Sequence, residues 1–111
     1  MEKINERVDM VKVLDFIIQN IIKLNKKEKI KESKIVFKND IIHIDMDNCI
    51  YTISSVMMYK RFIDKISYKY KTILKYLPTI TNNKISNELL IKYYKCKQVT
   101  LFVKEKGIII E

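Results

Sequence analysis

The feature that most constrains the fold is a run of apolar residues spaced three and four apart in the middle of the chain. Its members are Val56, Tyr59, Ile63, Ile66, Tyr70, Ile73 and Leu77. This spacing puts all of them on one stripe of an α-helix. We therefore predict a long amphipathic helix from Asn48 to Leu77. Asn48 is its predicted N-cap, because an asparagine side chain can accept a hydrogen bond from a free backbone N–H, and Pro78 follows its end.

The opposite side of this helix is cationic, with Arg61, Lys65, Lys69, Lys71 and Lys75 and with Tyr68 among them. Residues 60–97 hold ten Lys/Arg and two Asp/Glu, a net charge of +8 out of +9 for the whole chain. Such clustering favours a surface that binds a polyanion. The alternative is that the lysine excess reflects the codon bias of an AT-rich genome and only solvates a face.

The first predicted helix spans Glu6 to Asn25. Its apolar stripe comprises Met10, Leu14, Ile17, Ile21 and Leu24. Val13 and Phe16 widen this stripe, so we expect more than one neighbouring element to cover the helix. The predicted water-facing side carries Lys12, Asp15, Gln19 and Lys23.

Two hairpins and a short helix complete the predicted elements. Lys34–Lys38 and Ile41–Asp47 flank Asn39-Asp40, residue types that tolerate the positive φ of a tight turn. Ser86 is the predicted N-cap of a short helix from Asn87 to about Lys95. Gln98–Val103 and Ile108–Ile110 read as a C-terminal hairpin. We therefore predict one domain, residues 1–111, of the α+β class: N-terminal helix, β-hairpin, long amphipathic helix, short helix and C-terminal β-hairpin.

The sequence offers little for catalysis. It has one histidine and one glycine, so phosphate-cradling glycine loops are absent. His43, Asp45, Asp47 and Cys49 alternate as if along one strand, but residues two apart lie about 6–7 Å apart, too far for all four to reach one ion. We predict a protein without catalytic activity, metal or cofactor. Cys49 and Cys96 are too few for a disulfide framework and are not spaced as a metal-binding pair, and the chain has no apolar run of about 20 residues. We therefore predict a cytoplasmic protein with no membrane segment; the alternative for the two cysteines is a single disulfide bridge, as in thermophilic proteins.

Two segments resemble known binding modules. The C-terminal part, residues 73–111, resembles a winged helix-turn-helix: residues 85–90 would open the scaffold helix, and residues 103–109 would end the recognition helix and enter the wing. In the alternative interpretation, Val99–Val103 is a strand. Residues 34–73 are similar to the small dimer-forming subunit of KEOPS, the tRNA-threonylcarbamoyl-modification complex. The matching positions are Ser54, Ser55, Tyr59, Arg61 and Phe62.

Two functions follow from these patterns as hypotheses. The first is a small basic protein that binds DNA or RNA through residues 60–97, where tyrosines interleave with cations as in surfaces that stack bases. Its predicted binding residues are Arg61, Lys65, Tyr68, Lys69, Lys75, Lys92, Lys95 and Lys97. The partner of this basic segment is nucleic acid or an anionic protein or ribonucleoprotein complex. The second is a non-catalytic interaction subunit of a larger complex, whose long helix pairs with a partner or, in a homodimer, with itself through the Val56–Leu77 stripe.

Overall fold

A five-stranded antiparallel sheet carries all the described helices on one face. The computed structural model of the chain describes residues 2–74, 76 and 83–111, and the side chains of residues 10–74, 76 and 87–111. The helices are α1 (Glu2–Glu28), α2 (Val56–Tyr70) and α3 (Asn83–Cys96); the strands are β1 (Glu32–Lys38), β2 (Ile41–Met46), β3 (Cys49–Ile53), β4 (Gln98–Lys104) and β5 (Gly107–Ile110). The sheet order is β3-β2-β1-β4-β5. This arrangement confirms the predicted α+β class.

Both predicted hairpins are present. Asn39 and Asp40 adopt φ of 54° and 59° and connect β1 to β2, with Lys38 paired to Ile41. Two consecutive left-handed residues are what a type I′ turn requires, and this turn matches the twist of the flanking strands. The C-terminal hairpin joins β4 to β5. Residues 103–109 are therefore strand, turn and strand, so the recognition helix expected there in the winged-helix interpretation is not formed.

A third strand replaces the predicted start of the long helix. Asp47 and Asn48 adopt φ of 48° and 63°, and they connect Met46 to its pairing partner Cys49. The prediction that Asn48 caps a helix is therefore wrong, because Asn48 lies in a second tight turn. The N-cap of α2 is Ser55, whose side-chain oxygen accepts a hydrogen bond from the Met58 N–H at 3.1 Å.

Helix α2 also ends earlier than predicted. Lys71 adopts the left-handed conformation, with φ 49° and ψ 48°. Its N–H donates to the Tyr68 carbonyl at 3.3 Å, and the Thr72 N–H donates to the Ser67 carbonyl at 3.0 Å. These paired bonds form a Schellman motif, which satisfies the last carbonyls and stops the helix. The apolar stripe consequently breaks after Tyr70, and Leu77 lies outside the described residues.

The other two helices are longer than predicted. Helix α1 begins near the start of the chain and continues to Glu28, past the predicted end at Asn25. Helix α3 begins at Asn83, so Ser86 lies inside it rather than at its cap. Among the described residues, none of the helices is long and apolar enough to cross a membrane.

The hydrophobic core lies between the helices and one face of the sheet. The sheet contributes alternate residues of each strand, which are Ile35, Phe37, Ile42, Ile44, Met46, Ile53, Val99, Leu101 and Val103. The helices contribute the predicted α1 stripe together with Tyr59, Phe62, Ile63, Ile66, Leu89 and Tyr93. No described helix covers the other face of the sheet.

Helix α1 separates α2 from α3 within the helix layer. On one side of α1, Phe16 lies 6.2 Å from the Tyr59 ring of α2 and Asn20 donates to the Tyr59 hydroxyl. On the other side, Val11 and Leu14 line a small cavity with Leu89 and Tyr93 of α3. The side-by-side arrangement α2, α1, α3 determines where the predicted basic residues lie.

Candidate nucleic-acid interface

The outer side of α2 presents the largest part of the predicted basic surface. Arg61, Lys65, Tyr68 and Lys69 follow one another at helical spacing and all are exposed. We call these four residues the α2 basic surface. Tyr68 is 87% exposed, which is unusual for so large an aromatic side chain. The aromatic ring is therefore exposed to solvent on the helix that also carries these cations.

Two of these cations extend over the edge strand β3. The Lys65 Nζ lies 5.6 Å from the centroid of the Tyr51 ring. The Lys69 Nζ donates to the Cys49 Sγ at 3.4 Å and lies 5.3 Å from the Tyr70 ring. Both ammonium groups are therefore held near aromatic rings, an arrangement that cation–π attraction stabilises.

Little negative charge opposes the α2 basic surface. Among the described residues, Arg61, Lys65 and Lys69 form no ion pair with a carboxylate. The one acid of α2 is Asp64, whose carboxylate accepts a hydrogen bond from the Tyr76 hydroxyl. The helix thus has four Lys/Arg against one Asp, so its charge is predominantly positive.

The groups beneath the two lysines have altered proton affinities. Hydrogen bonds from Tyr51 and then from Lys69 lower the pKa of the Cys49 thiol. Burial, reinforced by the hydrogen bond to Cys49, raises the pKa of Tyr51 to about 12. Burial also raises the pKa of Tyr70, and the Asp47 carboxylate adds to this effect by accepting the Tyr70 hydroxyl proton in a hydrogen bond. Tyr51 and Tyr70 therefore keep their protons to a higher pH than an ordinary tyrosine.

The remaining predicted binding residues lie elsewhere. Lys92 is half-buried on α3, whereas Lys95 and Lys97 are exposed at and just beyond its end. Because α1 lies between the two helices, the structure divides the predicted segment into an α2 part and an α3 part. Lys75 lies outside the described residues.

The residues considered as metal ligands do not converge. His43 and Asp45 lie on the sheet face that no described helix covers, and Thr52 is 3.3 Å from the His43 ring. Asp47 is bonded to Tyr70, and Cys49 to Lys69, on the helix side. The strand that would align all four is interrupted by the second turn. No group of three metal-binding side chains is found in the described part of the chain.

Sequence reasoning missed Cys49 and Tyr51 as neighbours of the basic residues. The signal was present in Asp47-Asn48, which has the same turn chemistry as Asn39-Asp40. Interpreted as a turn, it places Cys49, Tyr51 and Ile53 on the core side of a third strand, next to the following helix. Comparisons of the chain with protein-family models, curated proteins and solved structures find no match.

Proposed function

We propose that this chain is a non-catalytic nucleic-acid-binding protein that uses the α2 basic surface. The observation that supports this proposal is the 87% exposed ring of Tyr68, which lies among cations that have no ion-pair partner among the described residues. A base can stack on such a ring while neighbouring ammonium and guanidinium groups contact phosphates. Single-stranded DNA or RNA fits this chemistry best, because the bases of a duplex are already stacked.

The same chemistry limits sequence specificity. Lysine binds phosphate as a point charge and carries little information about base identity. Binding therefore depends on ionic strength more than on sequence. For a single strand, the logarithm of the association constant falls with the logarithm of salt concentration, with a slope of about −0.7 for each phosphate that the protein neutralises.

The test is a fluorescence-anisotropy titration of labelled single-stranded DNA, single-stranded RNA and duplex DNA over a salt series. The triple variant Arg61→Glu, Lys65→Glu, Lys69→Glu is compared with Lys23→Glu, Lys31→Glu, Lys106→Glu, which changes three exposed lysines outside α2 and α3. The net charge changes equally in both. We expect the α2 variant to lose binding and the control to keep most of it.

The single substitution Tyr68→Ala separates stacking from charge. It should weaken single-strand binding by about 1–3 kcal/mol and leave the salt slope unchanged. If the two triple variants lost the same binding affinity, the binding would depend on net charge alone and not on the α2 basic surface. If the wild type did not bind at low salt, the proposal would be overturned.

The alternative function, a non-catalytic interaction subunit, needs a different surface from the predicted one. Tyr59, Ile63 and Ile66 of the Val56–Leu77 stripe are buried in the chain's own core. They are not available to pair with another helix, so self-association through this stripe would require the core to open. Any role in assembly must therefore depend on the sheet or on other exposed residues.

A further inference from the structure

The two edges of the sheet differ in how they are protected. Natural edge strands are commonly guarded by lysine, proline or a bulge, because their free backbone groups can pair with another chain. Edge strand β3 has such protection from Lys65 and Lys69, which extend over Tyr51 and Cys49. Edge strand β5 consists of Gly107, Ile108, Ile109 and Ile110 and contains no charge.

The hydrogen-bond pattern shows which backbone groups of β5 have no partner in the part of the chain that the structure describes. Thr100 and Glu111 exchange both of their backbone bonds, at 3.1 and 2.8 Å. In an antiparallel pair such bonded positions alternate with non-bonded ones. Ile109, opposite Phe102, is therefore bonded to β4, whereas Ile108 and Ile110 direct their N–H and C=O groups away from the sheet.

The side chains of β5 are also incompletely covered. Ile108 and Ile110 are half-buried on the helix side of the sheet, next to the core. Ile109 is 44% exposed on the opposite face. A neighbouring strand would cover these three isoleucines at the same time as it satisfied the free backbone groups.

We propose that β5 pairs antiparallel with β5 of a second copy of this chain, about a two-fold axis at Ile109. In this register Ile108 lies opposite Ile110 of the second copy, and Ile110 lies opposite Ile108 of the second copy. Each of these two pairs exchanges two backbone hydrogen bonds, so the outward backbone groups form four in all. Ile109 lies opposite its own equivalent in a non-bonded position, where side chains are close. The two sheets become one sheet of ten strands.

The strand is self-complementary in this register, which is why a second copy is the occupant. Antiparallel pairing of a strand with a second copy of itself is two-fold symmetric, so both halves of the contact are identical and the assembly closes as a dimer. The isoleucine run is centred on Ile109, so isoleucine lies opposite isoleucine at all three positions. Glu111 of the second copy lies opposite Gly107, which has no side chain. Lys104 is next in the same cross-strand row, so a carboxylate and an ammonium group flank the glycine on each side of the axis.

The test is sedimentation equilibrium of the full chain over a concentration series. The wild type should approach twice the 13.3 kDa chain mass as concentration rises. Ile109→Lys and Ile109→Glu should each remain monomeric, because each puts like charges directly opposite one another. Mixing the two variants should restore the dimer, since the charges are then opposite. This rescue also shows that both variants fold.

The matched control is Ile50→Lys on the other edge strand, where the side chain is 74% exposed. It should leave the dimer intact. Amide hydrogen exchange gives a second measurement: the Ile108 and Ile110 amides should become protected as concentration rises. A wild type that is monomeric throughout, a mixture that fails to dimerise, or an equal effect of Ile50→Lys would overturn the proposal. None of these outcomes depends on nucleic-acid binding.

Discussion

At the scale of single residues, buried polar side chains link the layers of the molecule. Asn20 of α1 donates to the Tyr59 hydroxyl at 3.1 Å, and this hydroxyl donates to the Tyr76 carbonyl at 2.7 Å. At the end of α1, Asn25 accepts a hydrogen bond from Ser33 at 3.0 Å. Because a buried polar group without a partner is costly, these bonds favour one relative position of α1, α2 and the sheet.

Tyr59→Phe tests the first of these links. The ring is retained, but the buried Asn20 amide loses an acceptor and the Tyr76 carbonyl loses a donor. We expect the free energy of unfolding to fall by about 1–3 kcal/mol, measured by urea denaturation. Tyr68→Phe is the control, and its effect should stay within about 0.5 kcal/mol because that hydroxyl is on an exposed residue. Equal effects in the two variants would contradict the assigned role of Tyr59.

Residue burial in α1 was largely predictable. The whole stripe from Met10 to Leu24 is buried, as its spacing predicts. The prediction that Asp15 faces water is wrong, because Asp15 is buried and lines the cavity between α1 and α3. Helix periodicity defines one apolar side. It contains no information on a second helix that comes from about 70 residues later in the chain and packs against the flank of α1 that includes Asp15.

At the scale of elements, two turns with the same chemistry were interpreted differently. Asn39-Asp40 was expected to be a turn, whereas Asn48 was expected to cap a helix because a helical stripe followed it. The stripe is real only from Tyr59 to Tyr70, since Val56 and Ile73 at its ends are exposed. Three-four spacing in a chain so rich in isoleucine extends past the true helix by chance, so local turn chemistry was the better guide here.

Glycine substitutions in the two turns should differ in their effect on stability. Asn48→Gly removes the strain of a left-handed non-glycine residue at φ 63° and should stabilise the protein by about 0.5–1 kcal/mol. Asp40→Gly relieves the same strain, but it also removes the carboxylate that accepts a hydrogen bond from Tyr93 of α3 at 3.0 Å. We therefore expect no gain for Asp40→Gly. Thermal unfolding measures both, and an equal gain would show that the bond to α3 contributes nothing.

At the scale of the whole molecule, charge clustering along the chain did not define one surface. The net charge of +8 in residues 60–97 was visible in the sequence. The separation of these basic residues into an α2 part and an α3 part was not visible in the sequence. It arises because α1 is far away in the chain and yet packs between α2 and α3. The pairing of β1 with β4 is similarly non-local. The fold class and the hairpins were predictable from local patterns, whereas the arrangement of the basic residues depends on tertiary packing.

The stability of the molecule should fall in alkaline solution. Burial raises the pKa of Tyr51 to about 12 and also raises the pKa of Tyr59 and Tyr70. The unfolded chain releases these protons near pH 10, whereas the folded chain keeps them. Their contribution to stability is therefore complete below about pH 10 and is lost as pH rises towards 12. Urea midpoints at pH 8, 10 and 11 measure this loss.

Tyr51→Phe is the matched variant for the alkaline series, because it removes one of the three titrating groups from both states. Its midpoint should depend less steeply on pH than that of the wild type. A slope that is the same in both proteins would show that Tyr51 does not couple ionisation to folding.

The central position of β1 has a consequence for how the chain folds. Its pairing with β2 closes through two residues, whereas the innermost β1–β4 pair joins Lys38 to Gln98 and closes a loop of 59 residues. Closing so long a loop slows folding relative to local contacts. During synthesis the first three strands and α2 are made before β4. The strand at the centre of the finished sheet is therefore first an edge strand, and its second side pairs only after β4 has been synthesised.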